Sequence, residues 1–215
     1  AGYSGDAAFV GNYAYIVAGG DVKVVDISNP SSPQIVTTLV TPGIASGIAV
    51  SGNLAVVSDG FSGMRVVDIT NPAAPSIVGS VTLGGVAGKA AISGNLALIA
   101  NGSLSSSQIV DISTPNNPRL VGSLNTGSAL DVTAVGNTAY VSANTGGLKI
   151  VNISNPAAPV SISTYNGIVN AASVSGNVAY LAKGSAGLDL VNITNPSTPT
   201  LIKNIVQSTA AASTH

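Results

Sequence analysis

The sequence predicts an all-β protein, a five-bladed β-propeller with four antiparallel strands in each repeat of 40–43 residues. Three markers that recur in step carry this expectation. A Gly-Asn pair returns at Gly11, Gly52, Gly94, Gly136 and Gly176, at intervals of 41, 42, 42 and 40. An Asp/Asn-Ile-Ser/Thr element starts at Asp26, Asp68, Asp111, Asn152 and Asn192, at intervals of 42, 43, 41 and 40. Paired prolines three apart follow it each time, as Pro30/Pro33, Pro72/Pro75, Pro115/Pro118, Pro156/Pro159 and Pro196/Pro199.

Within a repeat the elements follow from local chemistry. In the fourth copy the strand-like runs are Leu130–Val135, Thr138–Ala143, Leu148–Ile153 and Val160–Tyr165. Gly-Asn separates the first two at hairpin distance, since such turns need φ > 0. A glycine-bearing loop, 144–147, joins the second and third. The Asn-Pro-x-x-Pro element joins the third and fourth, where proline's missing N–H ends strand pairing. Third strands such as Val-Lys-Val-Val-Asp-Ile mix alternation with a doubly apolar Val-Val pair, as expected of a sheet covered on both faces. A β-solenoid is the competing fold, but its coils are commonly shorter and need no four-strand unit with two hairpins.

The segments Met64-Arg-Val-Val-Asp-Ile-Thr-Asn-Pro-Ala-Ala-Pro and Leu148-Lys-Ile-Val-Asn-Ile-Ser-Asn-Pro-Ala-Ala-Pro closely resemble the LVIVD repeat family. The match runs over roughly residues 6–206. The resemblance implies a β-propeller of the kind found in secreted or surface proteins, often as one module of a longer chain, and it carries no shared catalytic motif.

Composition narrows the chemistry. Seven Lys+Arg and eight Asp, with no Glu, make the chain 7% charged at a net charge of −1, which excludes a nucleic-acid-binding footprint. With no Cys there are no disulfides, thiolate metal sites or cysteine nucleophile, and the single His is residue 215. Mean hydropathy is +0.47, yet Gly, Ser, Asn or Pro breaks every apolar run well short of a membrane span, and no signal peptide is visible. The glycines at 84, 85 and 88 do not fit a nucleotide loop.

The candidate site is the mouth of the central channel. Five residues before each Gly-Asn stand Asp6, Gly47, Lys89, Asp131 and Ala171, at the start of the innermost strands. The loops after the second strands add Asp21, Asp59, Asn101, Asn144 and Lys183. Asp6, Asp21, Asp59, Lys89 and Asp131 are therefore the candidate contacts for a polar ligand such as a glycan, or for a hydrated cation. No calcium-loop motif is present, so no cofactor is expected and the metal is left unassigned. Asp26, Asp68, Asp111, Asn152 and Asn192 are expected to be structural acceptors for turn N–H groups, a role that tolerates exchange of Asp for Asn. Among the aromatics, Tyr15, Tyr140 and Tyr180 share one register and are expected in the blade core, whereas Phe61 is expected to be exposed.

The chain is expected to form one propeller domain over residues 1–206, with 207–215 a tail or surplus innermost strand. Direct closure of the fifth blade on the first is expected, against an open arc completed by other blades or subunits. The functional expectation is a non-catalytic extracellular or cell-surface module for binding or assembly. Its partners would be proteins or other copies meeting the terminal blades, with no nucleic acid and no membrane span. The alternative is a carbohydrate-active enzyme or glycan-binding lectin using the channel rim, with Asp6 and Asp131 as paired carboxylates.

Overall fold

The computed structural model describes residues 4–206 except Ser105. Twenty strands form five separate four-stranded antiparallel sheets, each built from consecutive strands in simple meander order. Blade 1 holds β1 (Ser4–Val10), β2 (Tyr13–Ala18), β3 (Asp21–Asp26) and β4 (Gln34–Leu39). Blade 2 holds β5 (Gly47–Ser51), β6 (Leu54–Ser58), β7 (Met64–Asp68) and β8 (Ser76–Val81). Blade 3 holds β9 (Ala87–Ser93), β10 (Leu96–Asn101), β11 (Ser106–Asp111) and β12 (Arg119–Asn125). Blade 4 holds β13 (Asp131–Val135), β14 (Thr138–Ser142), β15 (Leu148–Asn152) and β16 (Val160–Tyr165). Blade 5 holds β17 (Ala171–Ser175), β18 (Val178–Ala182), β19 (Leu188–Asn192) and β20 (Thr200–Ile205). The one helical element among the described residues is a single 3-10 turn, Gly184–Ala186. The tail expected at 207–215 and Tyr3 lie outside the described residues.

The sequence markers keep step because they bond to one another. In each blade the Ile after the marker Asp or Asn donates its N–H to the carbonyl of the Gly-Asn asparagine. The pairs are Ile27 to Asn12 (2.8 Å), Ile69 to Asn53 (2.9 Å), Ile112 to Asn95 (2.8 Å), Ile153 to Asn137 (2.9 Å) and Ile193 to Asn177 (2.9 Å). The turn glycines, Gly11, Gly52, Gly94, Gly136 and Gly176, hold φ between 54° and 55°. A Cβ at any of them would meet nothing within 4 Å, so the position requires glycine for its dihedral and not for space.

The apolar core lies between the blades. On β6, β10 and β14 both faces are buried, in agreement with the doubly apolar pattern. Val22 and Val24 of blade 1 pack on Ile48, Val57 and Ile69 of blade 2. Val56, Met64 and Val66 pack on Ala97, Val110 and Ile112 of blade 3. Leu98 and Ile109 pack on Val132, Val141 and Ile153 of blade 4. Tyr140, Leu148 and Ile150 pack on Leu181, Val191 and Ile193 of blade 5.

Among the described residues no apolar cluster joins blade 5 to blade 1, which departs from the expected direct closure. The difference is visible residue by residue. Tyr15 and Tyr140 are 2% and 5% exposed, but Tyr180, at the same register, is 38% exposed. Leu188 and Leu190 are only half-buried, where Leu148 and Ile150 are fully buried. On the opposite flank Val25 and Ile27 are half-buried, whereas Val67 and Ile69 of the next blade are buried. Among the described residues, the forward face of blade 5 and the rear face of blade 1 thus lack the cover that every interior face has.

Candidate functional site

The innermost strands deliver one residue each to the start of the channel, and the structure brings three of the expected residues together there. Lys89 Nζ lies 2.9 Å from Asp6 Oδ1 and also donates to the Gly5 carbonyl. This contact links blade 3 to blade 1 past blade 2. Blade 2 contributes Gly47 at that level, and a Cβ there would strike the backbone of Gly88 and Lys89. Absence of a side chain at Gly47 therefore lets β5 and β9 approach closely and leaves Lys89 a path to Asp6.

Asp6 and Asp131 make equivalent contacts. Asp6 Oδ2 accepts the Ile48 N–H of the next inner strand (2.9 Å) and its Oδ1 accepts that of Ala7 (3.1 Å). Asp131 Oδ2 accepts the Ala172 N–H of the next inner strand (3.1 Å) and its Oδ1 that of Val132 (2.9 Å). Each carboxylate thus ties its own blade to the following one. Burial pushes the Asp131 carboxyl above its ordinary range; the two N–H donors and the Lys89 charge pull against this, and Asp6 adds to it. Asp6, Lys89, Asp131, Asn170 and Ser173 line a cavity of about 600 Å³ at this end of the channel.

The other two expected contacts sit elsewhere. Asp21 opens β3, is half-buried and is not part of the cavity lining. Asp59 is fully buried in its own blade. Its Oδ2 lies 2.9 Å from Arg65 Nε, and both carboxylate oxygens accept the Gly43 N–H, at 3.1 and 3.0 Å. Sequence position placed Asp59 on the correct rim, but the side chain turns inward to Arg65 of its own blade and Gly43 of the segment before β5 instead of into the channel. No group of three or more Asp or His side chains among the described residues is close enough to hold a metal ion.

Sequence reasoning missed a recurrent polar pair beneath the rim. The seventh residue after the turn glycine faces the polar residue of the third strand, and in blades 2 and 5 the two positions carry opposite charges. In blade 2 they are Asp59 and Arg65. In blade 5 the charges are exchanged, as Lys183 Nζ lies 2.7 Å from Asp189 Oδ2. Asp189 also accepts from Tyr165 Oη (2.9 Å) and Asn204 Nδ2 (2.5 Å). Burial opposes the charge of Asp189, but the Lys183, Asn204 and Tyr165 donors outweigh it and hold the carboxyl below its ordinary range. The same burial and bond push the Tyr165 phenol up to about 12. In blade 3 Asn101 takes the first position, donating to the Gly84 carbonyl (2.6 Å). Comparing the columns of the aligned repeats would have exposed this pair, because its charges reverse together.

The five marker residues each accept an N–H two residues on. The bonds are Asp26 with Ser28 (2.8 Å), Asp68 with Thr70 (2.8 Å), Asp111 with Ser113 (2.8 Å), Asn152 with Ser154 (2.8 Å) and Asn192 with Thr194 (2.9 Å). Side-chain and backbone donors of Ser28 and Thr70 hold Asp26 and Asp68 below the ordinary carboxylate range, and those of Ser113 do so for Asp111. Phe61 is 81% exposed beside Ile44 at the rim.

The chain has no match among curated proteins. Its fold is similar to that of a functionally unknown protein from Desulfotomaculum acetoxidans, at 17% identity and TM-score 0.81, covering 95% of this chain and 70% of that one. It is also similar to the computationally designed Ika8 protein, at 16% identity and TM-score 0.72, covering 94% of this chain but spanning only 61% of the Ika8 chain. The designed Ika4 protein matches at 15% identity and TM-score 0.58, over 70% of this chain and 91% of that one. The LVIVD repeat model matches residues 1–41, 42–83, 84–126, 127–167 and 166–206. Five matched repeats, each folded as one four-stranded blade, place the chain in the LVIVD repeat family.

Proposed function

We propose that this propeller-like chain is a non-catalytic extracellular or cell-surface module that works by binding and assembly, with its terminal blade faces as contact surfaces. The observation that carries this reading is the uncovered forward face of blade 5, where Tyr180, Leu188 and Leu190 repeat the register of buried Tyr140, Leu148 and Ile150. Burying apolar side chains of this size contributes about 1.5–3 kcal/mol each, so a face of this composition is a strong site for association. The complementary surface is the rear face of a blade of the same type, which blade 1 carries at Val25 and Ile27. Such a contact is heterologous, and it builds rings or filaments from copies or continues into further blades of a longer polypeptide. The fold overlays 70% of a longer chain in the Desulfotomaculum acetoxidans protein, which is consistent with an arc that others extend.

The rim carboxylates support the non-catalytic reading. A paired-carboxylate glycosidase needs two carboxyl groups free to act on substrate. Asp6 and Asp131 instead each accept one backbone N–H from the adjoining blade and one from their own strand, and Lys89 pairs with Asp6. Light scattering on the intact chain and on Tyr180→Lys tests the proposal. Mass that rises with concentration in the first and stays monomeric in the second is expected; a monodisperse monomer in both at high concentration refutes self-association.

A further inference from the structure

We infer that blade 4 carries a binding site for a carboxylated sugar, formed where the buried ion pair of blades 2 and 5 has lost its acid. The inference is independent of the assembly reading, since it concerns the rim between blades 3 and 4. Lys149 of β15 pairs across from Val141 as Arg65 pairs across from Val57 and Asp189 from Leu181. The residue that should face it, seven after the turn glycine Gly136, is Ala143 where blade 2 has Asp59 and blade 5 has Lys183. The three loops have one backbone geometry at this point. Asp59, Ala143 and Lys183 each donate N–H to the glycine four residues on, at 2.8, 2.9 and 2.9 Å. Blade 4 thus keeps the half-buried cation and the loop but lacks the counter-charge; the side-chain partner of Lys149 is the Thr164 hydroxyl at 3.4 Å.

The space of that missing acid is open. In blade 2 the Asp59 carboxylate accepts the Gly43 N–H, and Gly127 stands at the matching place in blade 4, four residues before the inner-strand position. Gly127, Ala143 and Lys149 instead line a cavity of about 530 Å³. Its walls add the exposed carboxamides of Asn125 and Asn144 and the hydroxyl of Thr145. A ligand carboxylate seated against Lys149 takes the place that the Asp59 carboxylate holds against Arg65, and a charge-assisted bond there is the strong kind. The amide and hydroxyl groups around it suit the ring hydroxyls of a uronic acid, which bond to either donors or acceptors.

Amide NMR of the full chain titrated with galacturonate, galactose and acetate tests the site, with Lys149→Met and Ala143→Asp as variants. Galacturonate is expected to shift the amides of Gly127 and of residues 143–147, with galactose inert and acetate weaker. Both variants should weaken binding roughly ten- to hundredfold, the cost of one hydrogen bond to a charged group. Ala143→Asp should also raise the thermal midpoint, because it restores the blade 2 pair and occupies the site from within. Equal shifts with galactose, acetate as tight as galacturonate, undiminished binding in either variant, or no response at tens of millimolar ligand would each overturn the assignment.

Discussion

Tyr165 and Asp189 show how one residue's environment becomes a measurable property of the fold. The phenol donates to a carboxylate that Lys183 and Asn204 also hold, so removing its proton would place two negative charges side by side. With its titration raised from 10.0 to about 12, the stability it contributes is fully present below pH 10 and is lost as pH rises through 12. Tyr165→Phe should cost about 1 kcal/mol at neutral pH. It should also remove the raised phenol titration near 12, which absorbance at alkaline pH reads directly. Loss of a phenol titration near 10.0 instead would show that this hydrogen bond does not persist in solution. Asp131 has the opposite consequence from Asp26, Asp68 and Asp111. Its raised value means that the stability it contributes is present below 3.8 and is lost as pH rises through its folded value, whereas Asp26, Asp68 and Asp111 contribute above 3.8 and lose that contribution on acidification.

Between inner strands, a tight constraint is the meeting of β5 and β9 at Gly47. Any side chain there must displace the Gly88 carbonyl, which is backbone and cannot rotate away. Gly47→Val should therefore destabilise by about 1–3 kcal/mol in urea denaturation, by overpacking, and should also free Lys89 from Asp6. A loss within about 0.5 kcal/mol, as for an ordinary surface change, would mean that the inner strands are not packed this closely. The outer strands lock in a different way. The fourth strand of a blade receives the first proline carbonyl of the next blade's turn, against Gly79 for Pro115 and Gly122 for Pro156, while in blade 4 the Ser163 hydroxyl donates to the Pro196 carbonyl at 2.6 Å. The Asn-Pro-x-x-Pro turn is thus an inter-blade contact as well as a strand terminator.

At the scale of the whole molecule, four apolar seams join five blades, and stability is divided among neighbour contacts as in other repeat proteins. A chain whose end faces pair with other copies gains stability by mass action. Its thermal midpoint should rise with protein concentration, and that rise should vanish in Tyr180→Lys. A midpoint independent of concentration in the unaltered chain would mean that the end faces find no partner of this kind. With 7% charged residues and a net charge of −1, little electrostatic repulsion opposes such pairing.

Sequence alone determined the blade. Strand count, hairpin turns, the Pro-rich turn and the five-fold repetition all rest on interactions within about 40 residues, where φ-permissive glycine, missing proline N–H groups and side-chain alternation act locally. It also located Phe61 as exposed and Asp6, Lys89 and Asp131 at one end of the channel, because register positions repeat with the blade. Tertiary structure alone decided what those positions face. Asp59 turns to Arg65 and Gly43 of a neighbouring connection; Lys89 reaches Asp6 across 83 residues of sequence because Gly47 leaves the way clear; and Tyr180 stays uncovered although Tyr15 and Tyr140, identical in local pattern, are buried. Burial of a blade face depends on whether another blade stands against it, and no residue within the repeat encodes that.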